Sequence, residues 1–305
     1  MNSLDQLFES VDGSWKPTIA VVAAHDDYVL ASLRTALDMG LADSILLGDI
    51  QKIKRIAADQ SISLDGFELI NVTDKAESSA MAVSLVRQGR AQILMKGLVD
   101  TSIILKAALN HETGIRDSDV MSHVGVFEID GFDRLLYITD AAISIQPDVH
   151  AKKRIIENSL QVTRAFENNH PIVACLCAVE NVNPKMPATL DASELVRMNK
   201  AGELTGCTVT GPLALDNALF REAALRKGIN DPNAGLADVL LVPQIDAGNI
   251  LYKSFTYVAK AKSAGIVVGA KVPIVMTSRV DSDETKLYSI ALAIRMAVLT
   301  GRTSI

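Results

Sequence analysis

Short apolar segments alternate with longer segments of helical periodicity along most of this chain. Continuous runs of Val, Ile and Leu are typical of strands in parallel sheets that helices cover on both faces. The predicted strands are residues 18–24, 44–49, 67–72, 91–97, 171–179, 207–212, 238–245 and 266–278. The sequence therefore predicts an α/β fold with mostly parallel sheets.

Residues 120–140 interrupt this alternation. Two strand-like runs flank Asp130-Gly131, and an Asp-Gly pair between strands is a strong signal for a β-hairpin. A long helix, at about 148–169, then begins a second alternating series. We therefore expect the chain to change lobes near residue 140.

The predicted helix after Ser278 has no strand behind it, so we expect it to pack on the first lobe. The predicted lobes are residues 1–139 plus 279–305, and residues 140–278. A chain of 305 residues with 49% hydrophobic residues is large enough for two lobes.

Charge and hydropathy argue against two classes of partner. The formal net charge is −6, whereas nucleic-acid-binding proteins more often have a basic surface. No apolar segment has the length of about 18 residues that a membrane-spanning helix needs, and the acidic residues 1–15 do not resemble a secretion signal. We expect no nucleic acid and no membrane, while small anionic substrates fit the composition.

The cysteines are Cys175, Cys177 and Cys207. The first two lie on a predicted strand without the further His or Cys ligands that a metal site needs. We interpret all three as buried structural thiols. An odd number without a disulfide framework indicates a reducing cytoplasm.

Two predicted strand-to-helix junctions carry polar residues at the strand ends where α/β proteins bind ligands. In the first, Lys96 and Gly97 end a strand and Asp100 or Thr101 can cap the next helix, while Lys106 alone could be a solvated helix charge. The second has a glycine that permits close ligand approach and a lysine that opposes the helix dipole if it lies in an early turn. The second junction could alternatively be a tight turn between strand and helix, with an aspartate as the helix cap. Its residues are Asp246, Gly248, Asn249, Tyr252 and Lys253.

A third junction has an arginine flanked by carboxylates. Asp281 fits an N-cap and Glu284 fits the N3 position of a capping box. Arg279 has no such structural explanation. A helix N-terminus favours anions, and a guanidinium can bind phosphate through two parallel hydrogen bonds. Ser278 and Arg279 therefore mark a candidate anion site.

The common dinucleotide, nucleotide and hydrolase motifs are absent from the sequence: G-x-G-x-x-G after a strand, G-x-x-x-x-G-K-[ST] and G-x-S-x-G. Seven segments along nearly the whole chain instead resemble the phosphate acetyltransferase and phosphate butyryltransferase family. Two of them, NPKMPAT and SRVDSDETK, look more like the butyryl branch. The segments are MKGLVDTS, MSHVGVFE, ITDAAISIQPD, AVENVNPKMPATLDA, TVTGPLALDNAL, VPQIDAGNILYK and VPIVMTSRVDSDETKLYSIALA.

This resemblance implies reversible transfer of a short acyl group between coenzyme A and inorganic phosphate, with butyryl preferred and acetyl as the alternative. It implies a two-lobed fold like that of the isocitrate and isopropylmalate dehydrogenases, with an active-site cleft between the lobes and dimerisation through the second lobe. It also implies a cytoplasmic homodimer or higher oligomer that acts on acyl-CoA, phosphate and acyl phosphate, with no metal and no bound cofactor.

By the same resemblance, Ser278 and Arg279 are catalytic. The acetyl branch has an aspartate in the next helix, but this chain has Thr285 there, so Glu284 and Asp283 are the candidates for the base. We prefer Glu284, because it lies beside the family's aspartate position. No protein nucleophile with a matching base is evident, so we expect direct transfer in a ternary complex.

The substrate-binding residues on this interpretation lie at the three junctions and in the segment MSHVGVFE. A single histidine on a strand is more often a core residue, and family members often carry arginine where this chain has Lys106. The residues are Lys96, Gly97, Thr101, Lys106, Ser122, His123, Asp246, Gly248, Asn249, Tyr252 and Lys253.

Two other classes stay open. A decarboxylating dehydrogenase of the same architecture would need a carboxylate cluster for a divalent metal and a nicotinamide site, and neither is evident. A non-catalytic sensor of acyl phosphates or coenzyme A fits the missing aspartate, but the intact Ser278-Arg279 pair argues against it.

Overall fold

The computed structural model describes residues 1–11 and 15–301. The parts of the predicted first lobe at residues 12–14 and 302–305 lie outside the described residues. No helix in the described part of the chain has the length and apolar character needed to cross a bilayer.

The chain forms two compact units. The amino-terminal unit comprises Leu4–Asp119 and Ala264–Ile305, and the central unit comprises Met1–Ser3 and Val120–Ser263. Both are α/β, and most of their strand pairs are parallel, so the predicted fold class is confirmed.

The sheet of the amino-terminal unit has the strand order β3-β2-β1-β4-β11-β10. Its neighbours are parallel except for the antiparallel pair of β10 and β11. All of β4 and all of β1 beyond its first residue are buried, as expected for strands covered on both faces. The strands are β1 (Thr18–Val22), β2 (Asp43–Gly48), β3 (Glu68–Asn71), β4 (Ile93–Lys96), β10 (Lys262–Val268) and β11 (Ile274–Val275).

Helices of this unit contact one another in four pairs: α2 with α11, α4 with α5, α1 with α11 and α2 with α3. Aspartate side chains cap three of the helix starts: Asp26 accepts from Val29 N, Asp49 from Gln51 N and Lys52 N, and Asp74 from Glu77 N. The helices are α1 (Gln6–Ser10), α2 (Asp27–Asp38), α3 (Ile50–Asp59), α4 (Lys75–Arg87), α5 (Thr101–Ala108) and α11 (Asp283–Leu299).

The central unit has the strand order β5-β6-β9-β7-β8, with β5 and β6 antiparallel and the other neighbours parallel. Its strands are β5 (Ser122–Glu128), β6 (Leu136–Thr139), β7 (Ile172–Leu176), β8 (Thr208–Leu213) and β9 (Val239–Leu241). Its helices are α6 (Val149–Ala165), α7 (Pro187–Lys200), α8 (Leu215–Leu219), α9 (Arg221–Arg226) and α10 (Ile245–Lys253), which continues as a π-helical turn (Ser254–Val258).

The predicted hairpin at residues 120–140 is confirmed as β5 and β6, with Gly131 at φ 87° between them. The predicted single strand 266–278 is wrong. The chain reverses between β10 and β11, where Gly269 adopts φ 98° and Pro273 precedes β11.

The unit boundaries also differ from the predicted lobes. Residues 120–139 belong to the central unit, because β6 pairs with β9 of that unit. Residues 264–278 belong to the amino-terminal unit, because β11 pairs with β4. The β5–β6 hairpin and strand β11 have the same local sequence pattern as the strands before and after them. This pattern does not show which unit a strand joins.

Candidate active site

Two neighbouring strand ends of the amino-terminal unit bring together the residues predicted at the first and third junctions. Strands β4 and β11 run parallel, with Leu94 opposite Ile274 and Met95 opposite Val275. The segments that follow these strands therefore lie side by side, and the Lys96 ammonium donates to the Thr277 carbonyl at 3.4 Å.

Lys96 is a buried cation with 7% of its surface exposed. It forms no salt bridge with any described residue, although Asp26 and Asp100 act on it from a distance. Burial is the main cause that lowers the pKa of Lys96, and the positive charges of Arg279 and Lys286 lower it further. Three cations, Lys96, Arg279 and Lys286, therefore lie near one another at this end of the sheet.

Gly97 has a packing role at the same strand end. A Cβ atom here would lie 2.5 Å from the Ala23 carbonyl oxygen and 2.6 Å from that of Val22. The end of β4 can approach the end of β1 this closely only without a side chain.

Arg279 lies beside the start of α5. Its guanidinium contacts the Asp100 carboxylate at 2.5 Å, with 48% and 60% of the two side chains exposed. Asp100 is in the N-cap position of α5, but its side chain makes no capping hydrogen bond. The amides at the start of α5, from Thr101 onwards, therefore have no side-chain cap, and a cation is held next to them.

The N-cap of α11 is Ser282, whose hydroxyl accepts from Thr285 N at 3.1 Å. The prediction that Asp281 is the N-cap is therefore wrong. The predicted capping box is wrong as well, because Glu284 occupies position N2 and not N3. Asp281 is instead buried, and its carboxylate accepts from Ser278 N at 2.7 Å. It stabilises the turn that carries Ser278 and Arg279.

The two candidate bases have different surroundings, although both are exposed in the first turn of α11. The Tyr288 hydroxyl lies 2.5 Å from Asp5 Oδ1 and 3.3 Å from Glu284 Oε1. Asp283 is instead one of the negative charges that act on Lys286. Glu284 thus lies near Tyr288 and the start of α1, whereas Asp283 lies near Lys286.

Lys286 also belongs to this site, although it is not among the residues predicted from the sequence. Only 2% of its surface is exposed, and its ammonium donates to the carbonyls of Asp281 at 2.6 Å and Ser278 at 3.3 Å. The signal was its position: a lysine early in a helix opposes the dipole and requires another explanation.

Lys106 is exposed on α5 and lines a cavity of about 400 Å³ between α4 and α5. The other lining residues are mostly small or apolar: Ala76, Ala80, Val83, Ser102, Ile103, Ala107, Asn110 and Thr113. A cation therefore borders a largely apolar groove.

The second predicted junction lies in the central unit, at the start of α10. Gln244 caps this helix by accepting from Asp246 N at 2.6 Å, so the alternative of an aspartate cap is wrong. Asp246 and Asn249 are exposed, and Asn249 lies 3.4 Å from the Ala141 carbonyl. A Cβ at Gly248 would lie 3.0 Å from the Asp140 carbonyl, so close packing requires this glycine.

Lys253 lies in the last turn of α10, not in an early turn. A cation there is favourable for the helix dipole, and its ammonium lies 5.8 Å from the centre of the Tyr257 ring. The prediction that Lys253 lies in an early turn is therefore wrong, and its position requires no functional explanation.

Ser122 and His123 are buried on β5, with 0% and 4% of their surfaces exposed. Asn158 Nδ2 donates to Ser122 Oγ at 3.0 Å. The His123 ring packs edge-on against Tyr252, with 5.5 Å between centroids. These contacts give Ser122, His123 and Tyr252 roles in packing.

All three cysteines are unpaired; Cys175 and Cys207 are buried as predicted, whereas Cys177 is only partly buried. Burial raises the pKa of Cys177 to about 11 and that of Cys207 to about 11, and it raises the pKa of Cys175 further. Their thiols are therefore protonated at neutral pH and are poor nucleophiles.

Comparison with known proteins identifies the family. Residues 74–294 match the family model described as "Phosphate acetyl/butaryl transferase". The chain is 44% identical to the phosphate butyryltransferase of Clostridium acetobutylicum over 97% of this chain and 99% of that protein. It is 41% identical to the phosphate acetyltransferase of Thermotoga maritima over 95% and 98% of the respective chains.

Solved structures agree with this assignment. The branched-chain phosphotransacylase of Enterococcus faecalis matches with a TM-score of 0.80 and 34% identity, covering 92% of this chain and 98% of that one. The 4-hydroxythreonine-4-phosphate dehydrogenase of Klebsiella pneumoniae shares the fold, with a TM-score of 0.54, 13% identity and coverage of 92% of this chain and 99% of that one. The predicted dehydrogenase-like fold is thereby confirmed. The chain belongs to the phosphate acetyl/butyryl transferase family and is an acyltransferase.

Proposed function

We propose that this enzyme reversibly transfers a butyryl group between coenzyme A and inorganic phosphate, and that phosphate binds beside Lys96 and Arg279. The observation that carries the phosphate site is Lys96, a buried lysine that forms no salt bridge with any described residue. A buried ammonium without a counter-charge is costly, and a bound anion would supply that charge.

Arg279 supports the same site. Its ion pair with Asp100 is exposed, so exchanging the carboxylate for phosphate costs little free energy. The α5 N-terminus without a side-chain cap adds a second preference for anions. The guanidinium can then hold two phosphate oxygens through parallel hydrogen bonds.

The proposed chemistry is direct attack of the coenzyme A thiolate on the carbonyl carbon of the acyl phosphate. A C–S bond forms, the C–O bond to phosphorus breaks, and phosphate leaves with the electron pair. Ser278 and Arg279 would donate hydrogen bonds that stabilise the charge on the carbonyl oxygen and the leaving phosphate. In the reverse direction, a phosphate oxygen attacks the carbonyl carbon of the thioester, a C–O bond forms, the C–S bond breaks, and coenzyme A leaves as the thiolate, which then takes up a proton.

A carboxylate would accept the thiol proton, since an ordinary thiol has a pKa of about 8.5 and is mostly protonated at neutral pH. Asp283 and Glu284 are the candidates. The contact of Glu284 with Tyr288 favours Asp283, contrary to the preference derived from sequence.

For coenzyme A, we propose the groove between α4 and α5, with Lys106 at its edge. The pantetheine arm is uncharged and the nucleotide end carries phosphates, so a largely apolar groove bordered by a cation complements both. Lys106→Glu is expected to raise KM for coenzyme A more than KM for acyl phosphate. Equal effects on both would contradict this placement.

Acetyl transfer is the second candidate, because the chain is 41% identical to a phosphate acetyltransferase. The test uses purified enzyme with butyryl-CoA or acetyl-CoA, and measures thiol release on adding phosphate, without added metal or nicotinamide. A higher kcat/KM for butyryl-CoA supports the proposal, and a higher value for acetyl-CoA makes the enzyme an acetyltransferase. No phosphate-dependent release from either would contradict both.

A homodimer formed through the central unit completes the proposal. That unit exposes several large apolar residues, among them Phe220 at 52% and Leu225 at 59%. Such surfaces often mark interfaces. The mass in solution is expected to be that of a dimer and to fall to a monomer in Phe220→Asp/Leu225→Asp. A monomeric wild type would contradict the proposal.

A further inference from the structure

Lys286 is one of the most buried charged side chains of the amino-terminal unit, with 2% of its surface exposed. Its ammonium has three N–H groups. Two donate to the carbonyls of Asp281 and Ser278, and the group lies 5.5 Å from the centre of the Tyr28 ring. Its environment is therefore made of carbonyl dipoles and an aromatic ring, not of a paired carboxylate.

Both acceptors belong to one short turn, residues 278–281, in which Asp281 N also donates to the Ser278 carbonyl at 3.3 Å. The Asp281 carboxylate accepts from Ser278 N on the same turn. Lys286 and Asp281 thus fix the backbone on both sides of Arg279, whose own side chain is half exposed and pairs with Asp100 at the surface.

The carboxylates that act most strongly on Lys286 come from three neighbouring segments. Asp26 and Asp27 lie at the start of α2, Asp281 is in the turn, and Asp283 begins α11. Lys96, at the end of β4, is a second cation in this region, and the two lysines repel each other. Burial lowers the pKa of Lys286 and these carboxylates raise it. Burying the Lys286 ammonium costs free energy of folding, and no salt bridge to a described residue offsets that cost. A contribution to stability therefore does not explain this lysine.

We propose that Lys286 is a positioning residue for phosphate: it orients the Ser278–Asp281 turn, and through it Arg279, toward the bound anion. This inference rests on the proposed phosphate site. Lys286 touches the turn and not the substrate, so its loss should affect the phosphate step and leave the binding of coenzyme A unchanged.

The test compares Lys286→Met, which keeps the volume without the charge, with Lys286→Ala and the exposed control Lys54→Met on α3. For Lys286→Met, kcat/KM for phosphate is expected to fall by at least about tenfold, the value of one lost charge-assisted hydrogen bond. KM for coenzyme A and the rate of Lys54→Met should stay at wild-type values. In Lys286→Ala, methylammonium is expected to restore part of the phosphate-dependent rate, because it can occupy the space of the missing ammonium.

A uniform loss of activity with both substrates, or no rescue by methylammonium, would overturn the inference and leave Lys286 with a role in folding only. An unchanged kcat/KM for phosphate in Lys286→Met would overturn it as well. If Lys286→Met does not fold, the same measurements on Lys286→Gln decide the question. Failure of the proposed function is distinguishable, because the wild-type enzyme would then release no thiol on addition of phosphate.

Discussion

Replacing Arg279 with lysine keeps a positive charge beside Ser278 but removes the planar fork that can hold two phosphate oxygens. One of two charge-assisted hydrogen bonds is then lost. Such a bond contributes about 1.5–3 kcal/mol. This corresponds to a roughly 10- to 150-fold fall in kcat/KM for phosphate.

The fold is expected to tolerate this substitution. Arg279 and Asp100 are 48% and 60% exposed, and an exposed pair of this kind contributes at most about 1 kcal/mol to stability. For a protein of this size, such a loss lowers Tm by at most about 4 °C.

The assay is the initial rate of thiol release from butyryl-CoA at varied phosphate, together with thermal unfolding. Arg90 offers a matched control, since it is also 48% exposed and pairs with Glu68 at 2.8 Å in the same unit. Arg90→Lys should retain wild-type kcat/KM. If Arg279→Lys retained it too, the reasoning about a bidentate phosphate contact would be wrong.

The other predictions concern the buried lysine and the base. Lys96→Met should unfold at the wild-type temperature or above in phosphate-free buffer, because it removes an uncompensated buried ammonium, yet phosphate should no longer raise its Tm; stabilisation of the variant by phosphate equal to that of the wild type would refute this. The pKa of Lys96 is lowered in the folded state, so the unfolded chain binds its proton up to a higher pH, about 10.4. The contribution of Lys96 to stability therefore rises with pH between its lowered pKa in the folded state and its pKa in the unfolded chain. Phosphate affinity falls over the same range, because phosphate binding needs the charged ammonium. The KM for phosphate is therefore expected to rise toward alkaline pH in the wild type but not in Lys96→Met. Identical pH profiles of KM in the two proteins would contradict a role of Lys96 in phosphate binding. Asp283→Asn should lose the acid limb of the pH–rate profile while Glu284→Gln keeps it; the reverse result would restore Glu284, and retention in both would exclude either carboxylate as the base.

Most of the fold could be predicted because its signal is local. Apolar runs predicted the strands, and Asp130-Gly131 predicted the hairpin of β5 and β6. Which sheet a strand joins is a long-range property. The reversal before Ile274 and the pairing of β11 with β4 were therefore missed, and the predicted boundaries were misplaced with them.

The candidate site was predictable where a residue type has few structural uses. Arg279 before a helix start is such a case, although its side chain lies beside the start of α5, which has no side-chain cap, and the helix that follows it, α11, is capped by Ser282. The role of Asp281 was not predictable, because Ser282 is an equally good N-cap and only the geometry of the turn decides between them. Lys286 was missed because a lysine in a helix usually faces solvent, and burial is not visible in the sequence.

A crystal structure of the enzyme with phosphate bound tests the central claim most directly. The account predicts phosphate oxygens within about 3 Å of the Arg279 guanidinium and of the Lys96 ammonium, with the Arg279 contact to Asp100 broken or shared. Phosphate bound at another position, with Arg279 still paired to Asp100 and Lys96 still bonded only to the Thr277 carbonyl, would contradict it.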